Sequence, residues 1–140
     1  MRRFIAIGAS SFGAAGKEPV ELLEHAGYTV MPNPYKRRMK ETEIIAHLRE
    51  AEGLIAGLEP LNENVLRSAK KLKALARVGI GMDNVDATAA AVLGIRVSST
   101  PDGPTEAVAE LCLTSLLAIS RNLVPHSWHL PAATHARMRR

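Results

Sequence analysis

The sequence predicts a doubly wound parallel α/β sheet of five strands, with helices on both faces. Three observations carry this prediction. Five short apolar runs lie along the chain before residue 100, and segments of helical periodicity alternate with them. The apolar runs show little alternation with polar residues, so the strands read as covered on both faces. Strand and helix in strict alternation is the signature of a parallel sheet.

The first run is Phe4, Ile5, Ala6 and Ile7, ended by Gly8. Residues 9–16 are small and glycine-rich, hence a loop. Residues 18–26 place Val20, Leu22, Leu23 and Ala26 on one side and Glu21, Glu24 and His25 on the other, an amphipathic helix closed by Gly27. Residues 28–31 form a second strand, stopped by Pro32 and Pro34. Ile44, Ile45 and Leu48 mark a helix over residues 41–50, and Gly53 and Gly57 bound a third strand. Val65, Leu66 and Ala69 mark a helix over residues 62–71, and residues 72–78 hold the fourth strand, ended by Gly79. The alanine-rich residues 86–93 form a helix capped by Gly94, and residues 95–97 a fifth strand. A long last helix over residues 104–123 has Pro104 in its first turn.

Composition narrows the function classes. The 140 residues are 46% hydrophobic and 23% charged, the balance of one folded domain. Aromatics make up only 4%, which leaves too few rings for a base-stacking nucleic-acid surface. A lone cysteine, Cys112, rules out an internal disulfide and a cysteine-cluster zinc site, in keeping with a reducing cytoplasm. The apolar run over residues 111–119 contains Thr114 and Ser115 and is too short to span a bilayer. The net charge is +4, yet 14 basic and 14 acidic residues balance up to residue 120. The excess is Arg121, Arg137, Arg139 and Arg140, and the basic cluster at residues 35–40 is followed at once by Glu41 and Glu43. No basic stripe for nucleic acid is formed.

In an open parallel sheet, ligands bind outside the carboxyl ends of the strands. The loop Gly79, Ile80, Gly81, Met82, Asp83, Asn84 follows a strand and precedes a helix, with Asp102 further on. It fails as a dinucleotide fingerprint, because Asn84 stands where a glycine is needed and the strand is the fourth rather than the first. Two readings remain: backbone N–H groups that bind a small anion with help from Arg77, or a plain strand-to-helix turn. Residues 8–17 fail as a P-loop, because Ser11 and Glu18 break the required spacing. His25 and His47 are expected on solvated helix faces, while His126, His129 and His135 fall in the tail, so no metal site is expected. Cys112 is expected as inert core. The last helix is apolar nearly all round, from Ala107 through Leu111, Leu113, Leu116 and Leu117 to Ile119, and expects a second partner surface.

Three stretches together are distinctive. They are residues 72–86, residues 94–97 with Gly94 and Arg96, and residues 100–110 with Thr100, Asp102, Gly103, Glu106 and Glu110. With Arg121 and Asn122 they closely resemble the D-isomer-specific 2-hydroxyacid dehydrogenases, the phosphoglycerate-dehydrogenase-like branch being nearest. The resemblance runs from about residue 3 to residue 123. It implies a flavodoxin-like substrate-binding domain over residues 1–103, an interdomain connector helix over 104–123 and an irregular basic tail over 124–140. Arg77, Val78, Gly79 and Ile80 are implied to hold the substrate carboxylate through backbone N–H groups, with Ile80 facing the nicotinamide. Gly81, Asp83 and Asn84 are implied to shape that loop, and Leu58 and Glu59 to line the pocket opposite.

The same resemblance implies NAD, or NADP, as cofactor of the complete enzyme and a small 2-hydroxy or 2-oxo acid as substrate. The implied reaction is oxidation of the CH–OH group of a D-2-hydroxy acid, 3-phosphoglycerate-like or related. The family's glycine fingerprint, ribose-reading acid and catalytic Arg, Glu and His follow the connector helix and have no counterpart here. The chain is therefore expected to be truncated before the cofactor domain, inactive alone, and to meet a Rossmann domain on a separate chain. Gly57 occupies the position where phosphoglycerate enzymes often carry a phosphate-reading arginine. The uncovered connector helix implies a homodimer, unless Trp128 and Leu130 fold back over it. A stand-alone anion-binding or interaction module without chemistry is the reading from a different class.

Overall fold

The computed structural model describes residues 2–123. The chain divides into two compact units, Met1–Gly103 and Pro104–Arg140. The first contains strands β1 (Arg3–Ile7), β2 (Tyr28–Met31), β3 (Ala51–Ala56), β4 (Ala74–Arg77) and β5 (Arg96–Ser99). Between them lie helices α1 (Glu18–His25), α2 (Glu41–His47), α3 (Glu63–Ser68) and α4 (Ala87–Val92). All neighbouring strands are parallel, in the order β2-β1-β3-β4-β5, so the α/β class read from the sequence holds. The described part of the second unit is α5 (Thr105–Ser120).

Right-handed crossovers fix the faces. The chain steps one way from β1 to β2 and the other way through β3, β4 and β5. That sends α1 to one face and α2, α3 and α4 to the other. The core lies under the three helices, where Ile44, Leu48, Val65, Leu66 and Ala90 close over Ala6, Leu54 and Leu75 of the sheet. The expectation of helices on both faces holds, but the covering is unequal: α1 buries none of its residues, and Leu22 is 71% exposed.

Local chemistry explains where elements start and stop. Asn62 caps α3 by accepting the Val65 N–H at 3.0 Å, and Asp86 caps α4 by accepting from Ala89 at 2.8 Å. Helix α3 ends at Ser68 rather than running to residue 71; the Ser68 hydroxyl donates to the Val65 carbonyl at 2.6 Å and competes with the helical ladder. Strand β3 starts two residues earlier than its apolar run, because Ala51 pairs with Phe4 and the Lys73 N–H donates to the Glu52 carbonyl at 2.8 Å. Gly27 and Gly94 follow α1 and α4 with φ of 83° and 71°, the left-handed conformation that ends a helix cheaply only with glycine.

Two side chains depart from expectation. His47 is half-buried rather than solvated, with a buried Nε2 that has no hydrogen-bond partner among the described residues. Helix α2 ends against the sheet, so its last turn meets strand ends instead of water. Cys112 is exposed, not core. His126, His129, His135, Trp128 and Leu130 lie outside the described residues.

Candidate functional site

Strands β1, β3 and β4 are neighbours in the sheet, so the loops at their carboxyl ends stand side by side. They enclose a cleft of about 320 Å³, lined by residues 8–11, Arg38, residues 57–59, Arg77 and Val78. Position follows from register. Ala56 pairs with Arg77 and Arg77 with Ser99, so these strands end nearly together and release their loops at one level.

The first wall is tight. The Gly8 N–H donates to the Ile55 carbonyl at 2.8 Å and extends the β1–β3 ladder by one residue. A Cβ on Gly57 would sit 2.7 Å from Ala9 Cα and 2.9 Å from Glu59 Oε2, so only glycine fits there. Glu59 is fully buried between Gly8 and Gly57, and its Oε1 accepts the Gly57 N–H at 2.9 Å. Its Oε2 has no hydrogen-bond partner among the described residues. Leu58, by contrast, is 61% exposed.

The second wall is the loop after β4. Arg77 is buried, its Nε faces Asn84 Oδ1 at 3.4 Å, and its Nη1 donates to the Val78 carbonyl. Asn84 Nδ2 donates to the carbonyls of Gly57 at 3.1 Å and Glu59 at 2.7 Å. One amide thus ties the two walls together, which gives Asn84 a role a glycine could not fill. The lacing continues where Leu61 N–H donates to the Asn84 carbonyl at 2.8 Å and Asp86 N–H to the Leu61 carbonyl at 3.0 Å.

The backbone donors of this loop are partly spent. The Val78 N–H donates to the Ala56 carbonyl at 2.9 Å, and the Gly79 N–H to Thr100 Oγ1 at 2.7 Å. Gly79 has φ of 122°, which turns the chain beyond the reach of most side chains. The N–H groups of Ile80 and Gly81 have no protein partner among the described residues, and Ile80 is half exposed at 51%. Asp83 is exposed, and a Cβ on Gly81 would meet only Asp83 Oδ2 at 3.6 Å. Sequence reasoning missed Thr100, whose hydroxyl and N–H hold both sides of Gly79, and Arg38, whose basic neighbourhood reads as solvated surface.

The loop does not form a dinucleotide cradle. Helix α4 starts at Ala87, well beyond the glycines, and the Asp86 side chain already occupies its first turn. Behind the first wall, burial pushes the His47 imidazole below its ordinary 6.5, while the carbonyls of Ile7 and Met31 and the Glu59 charge pull the other way. Among the described residues, no group of three or more His, Cys, Asp or Glu could hold a metal ion, and no helix is long and apolar enough to cross a membrane.

An open parallel sheet with a cleft at the carboxyl ends of its strands defines an α/β protein whose candidate site lies where such sheets bind their ligands. The chain belongs to the D-isomer-specific 2-hydroxyacid dehydrogenases: the catalytic-domain description of that family matches residues 10–140. The D-3-phosphoglycerate dehydrogenase of Sus scrofa is 36% identical over 104 residues, covering 74% of this chain and 19% of that protein. That of Methanocaldococcus jannaschii is 30% identical over 109 residues, covering 76% and 20%. Among solved structures, NAD⁺-bound 3-phosphoglycerate dehydrogenase of Entamoeba histolytica superposes with a TM-score of 0.74 at 27% identity, over 84% of this chain and 39% of that one. The TT0316 protein of Thermus thermophilus gives 0.74 at 28% identity, over 97% and 40%. The chain therefore spans about a fifth of these curated relatives and about two-fifths of these solved chains.

Proposed function

We propose that this chain is the substrate-holding part of an NAD-dependent dehydrogenase acting on the CH–OH group of a D-2-hydroxy acid. The observation that carries the reading is the pair of unspent N–H groups at Ile80 and Gly81, beside buried Arg77, in a member of this family. In this reading the acid's carboxylate accepts from those two N–H groups. Arg77 contributes positive charge from beneath, and Asn84 holds the loop against the opposite wall. Val78 and Gly79 set the backbone course, while Thr100 keeps Gly79 from closing over the site. Leu58, Val78 and Ile80, all exposed, supply the apolar rim, with Ile80 on the side of the nicotinamide.

The cofactor, NAD or NADP, supplies hydride transfer when bound by a nucleotide-binding part additional to these residues, on a second polypeptide or in further sequence. These residues alone are then expected to bind acids weakly and to oxidise none. The proposed setting is cytoplasmic. Helix α5, with Leu111, Leu113, Leu116, Leu117 and Ile119 all exposed, is proposed to pair with its copy in a homodimer.

Titrating the isotope-labelled chain with glycolate, D-lactate and pyruvate should move the Ile80 and Gly81 amide resonances, with dissociation constants of order millimolar. Unmoved amides would refute the acid site. NADH fluorescence should show no micromolar binding. Light scattering at tens of micromolar should give a dimer that Leu116→Glu with Leu117→Glu converts to monomer; a monomer from the outset overturns the pairing.

A further inference from the structure

We propose that a second cavity, beside α1, binds a small zwitterion with an apolar body, the chemistry of a free apolar amino acid. This site is independent of the acid cleft and stands or falls without it.

The cavity measures about 410 Å³ and lies where β1 and β2 end. Val30 pairs with Ile5, so Val30 and Ile7 stand on the sheet face that carries α1, and both line the cavity. Phe12 lines it from the loop after β1 and Val20 from α1, each half-buried. Space is left there because α1 buries none of its residues, and because Ala9 and Ser10, just past the end of β1, are small. Ala9 and Ser10 also line the first cleft, whereas Ile7, Phe12, Val20 and Val30 do not. Both walls are held without a ligand. The Phe12 N–H donates to the Ala9 carbonyl at 3.2 Å and the Ala14 N–H to the Ser11 carbonyl at 3.1 Å. A Cβ on Gly13 would come within 3.2 Å of Val20 Cγ2, so this loop is wound closely against the helix. On the other side Asn33 Nδ2 donates to the Gly8 and Arg37 carbonyls at 2.7 and 2.9 Å, which ties the loop after β2 to the end of β1. A cavity already formed costs little ordering to fill.

Charge decides the occupant. Glu24 from α1 and Lys36 from the loop after β2 bring opposite charges to this one cavity, and both are exposed. Neither side chain makes an ion pair or hydrogen bond among the described residues, with each other or with anything else. Lys36 is held with a φ of 53°, a left-handed conformation uncommon for lysine. Unlike charges that share a cavity without meeting fit a ligand that carries both, its ammonium toward Glu24 and its carboxylate toward Lys36. The apolar lining from Ile7, Phe12, Val20 and Val30 then takes an aliphatic or aromatic body.

The full isotope-labelled chain is titrated by NMR at fixed ionic strength with L-leucine, glycine, isoamylamine, which lacks the carboxylate, and 4-methylpentanoate, which lacks the ammonium. Leucine should move the Phe12, Val20 and Val30 resonances with a dissociation constant of order millimolar. It should bind about three- to fivefold tighter than either singly charged analogue, the size of an exposed ion pair, and glycine should bind more weakly than leucine. Glu24→Gln should bring leucine level with 4-methylpentanoate, and Lys36→Gln should bring it level with isoamylamine. Glu21→Gln and Lys70→Gln remove the same charges outside the cavity and should leave the preference standing. Unmoved Phe12, Val20 and Val30 overturn the site, whatever happens at Ile80 and Gly81. An analogue that matches leucine in the parent chain, glycine binding as well as leucine, a preference that survives Glu24→Gln and Lys36→Gln, or one lost equally in Glu21→Gln or Lys70→Gln, overturns the assignment to an apolar zwitterion.

Discussion

The two faces of the sheet in the first unit are built from different side chains. On one, Ala6, Leu54 and Leu75 stand in register across β1, β3 and β4, none more than 2% exposed, beneath α2, α3 and α4. On the other, the register rows are Ile5, Gly53, Ala74 and Arg96, then Ile7, Ile55, Ala76 and Ser98. This second face carries α1 and leaves an apolar trough of about 310 Å³ over Ile5, Ile55, Ala74 and Ala76. Both faces are apolar, which is why the strands read as covered on both sides. They differ in side-chain size. Leucines that fill the space under three helices remove far more area from water than the glycine and alanines opposite. Stability should therefore reside on the packed face, and the candidate site, whose Arg77 shares that face with Leu75, stands on the rigid side.

The sharpest test pairs one deletion on each face. Leu48→Ala or Leu66→Ala should cost about 2–5 kcal/mol in urea denaturation, because both are fully enclosed. Ile55→Ala, half-buried beside the trough, should cost clearly less; equal losses would break the comparison. Next comes Asn84→Ala, which leaves two carbonyls and Arg77 without their shared partner. About 1–3 kcal/mol should be lost with it, and acid-induced shifts at Ile80 and Gly81 should weaken. A stability loss without any change in acid binding would separate the lacing from the site.

Smaller effects sharpen the picture at the helix ends of the packed face. Asp86→Ala and Asn62→Ala each remove a cap and should cost about 1 kcal/mol. Smaller still are the effects of pH. The folded His47 pKa lies below 6.5, so the unfolded chain takes up that proton first. No penalty exists above 6.5; stability falls as pH drops from there through the folded value, and His47→Gln should flatten the slope in that window. Glu43 runs in the same sense at lower pH. Its hydrogen bonds from Arg37 and the Lys40 N–H hold its pKa at about 2 against 4.5, so its contribution is present above 4.5 and is lost as pH falls toward about 2. Because the pair lies at the surface, with the Arg37 side chain half exposed, Glu43→Gln should shift the melting temperature only slightly, and less at high salt.

Much of the fold was legible because it depends on neighbours in the chain. Gly8, Gly27, Gly79 and Gly94 punctuate the elements, and Ile44 and Leu48, or Val65 and Leu66, show a helical face whatever they pack against. The family motif around Gly79, Gly81 and Asn84 likewise sits in one continuous stretch. The site itself was only half legible. That Arg77 and the glycine loop follow a strand can be read directly. That the Val78 N–H is taken by Ala56, and the Gly79 N–H by Thr100, cannot, because those bonds depend on which strands become neighbours and in what register.

Local periodicity and turn chemistry in the sequence by themselves determined that strands and helices alternate, where each roughly ends, and that a glycine loop follows β4. The order β2-β1-β3-β4-β5 was decided only by tertiary structure, since every strand has the same apolar character and pairing is a long-range choice. The same long-range choice set Arg38 beside Gly57 and Arg77, buried Glu59 between two glycines, and drew His47 out of solvent. A side chain's residue type and helical phase are fixed over a few neighbours, but its charge environment is fixed by whatever distant segment the sheet brings against it.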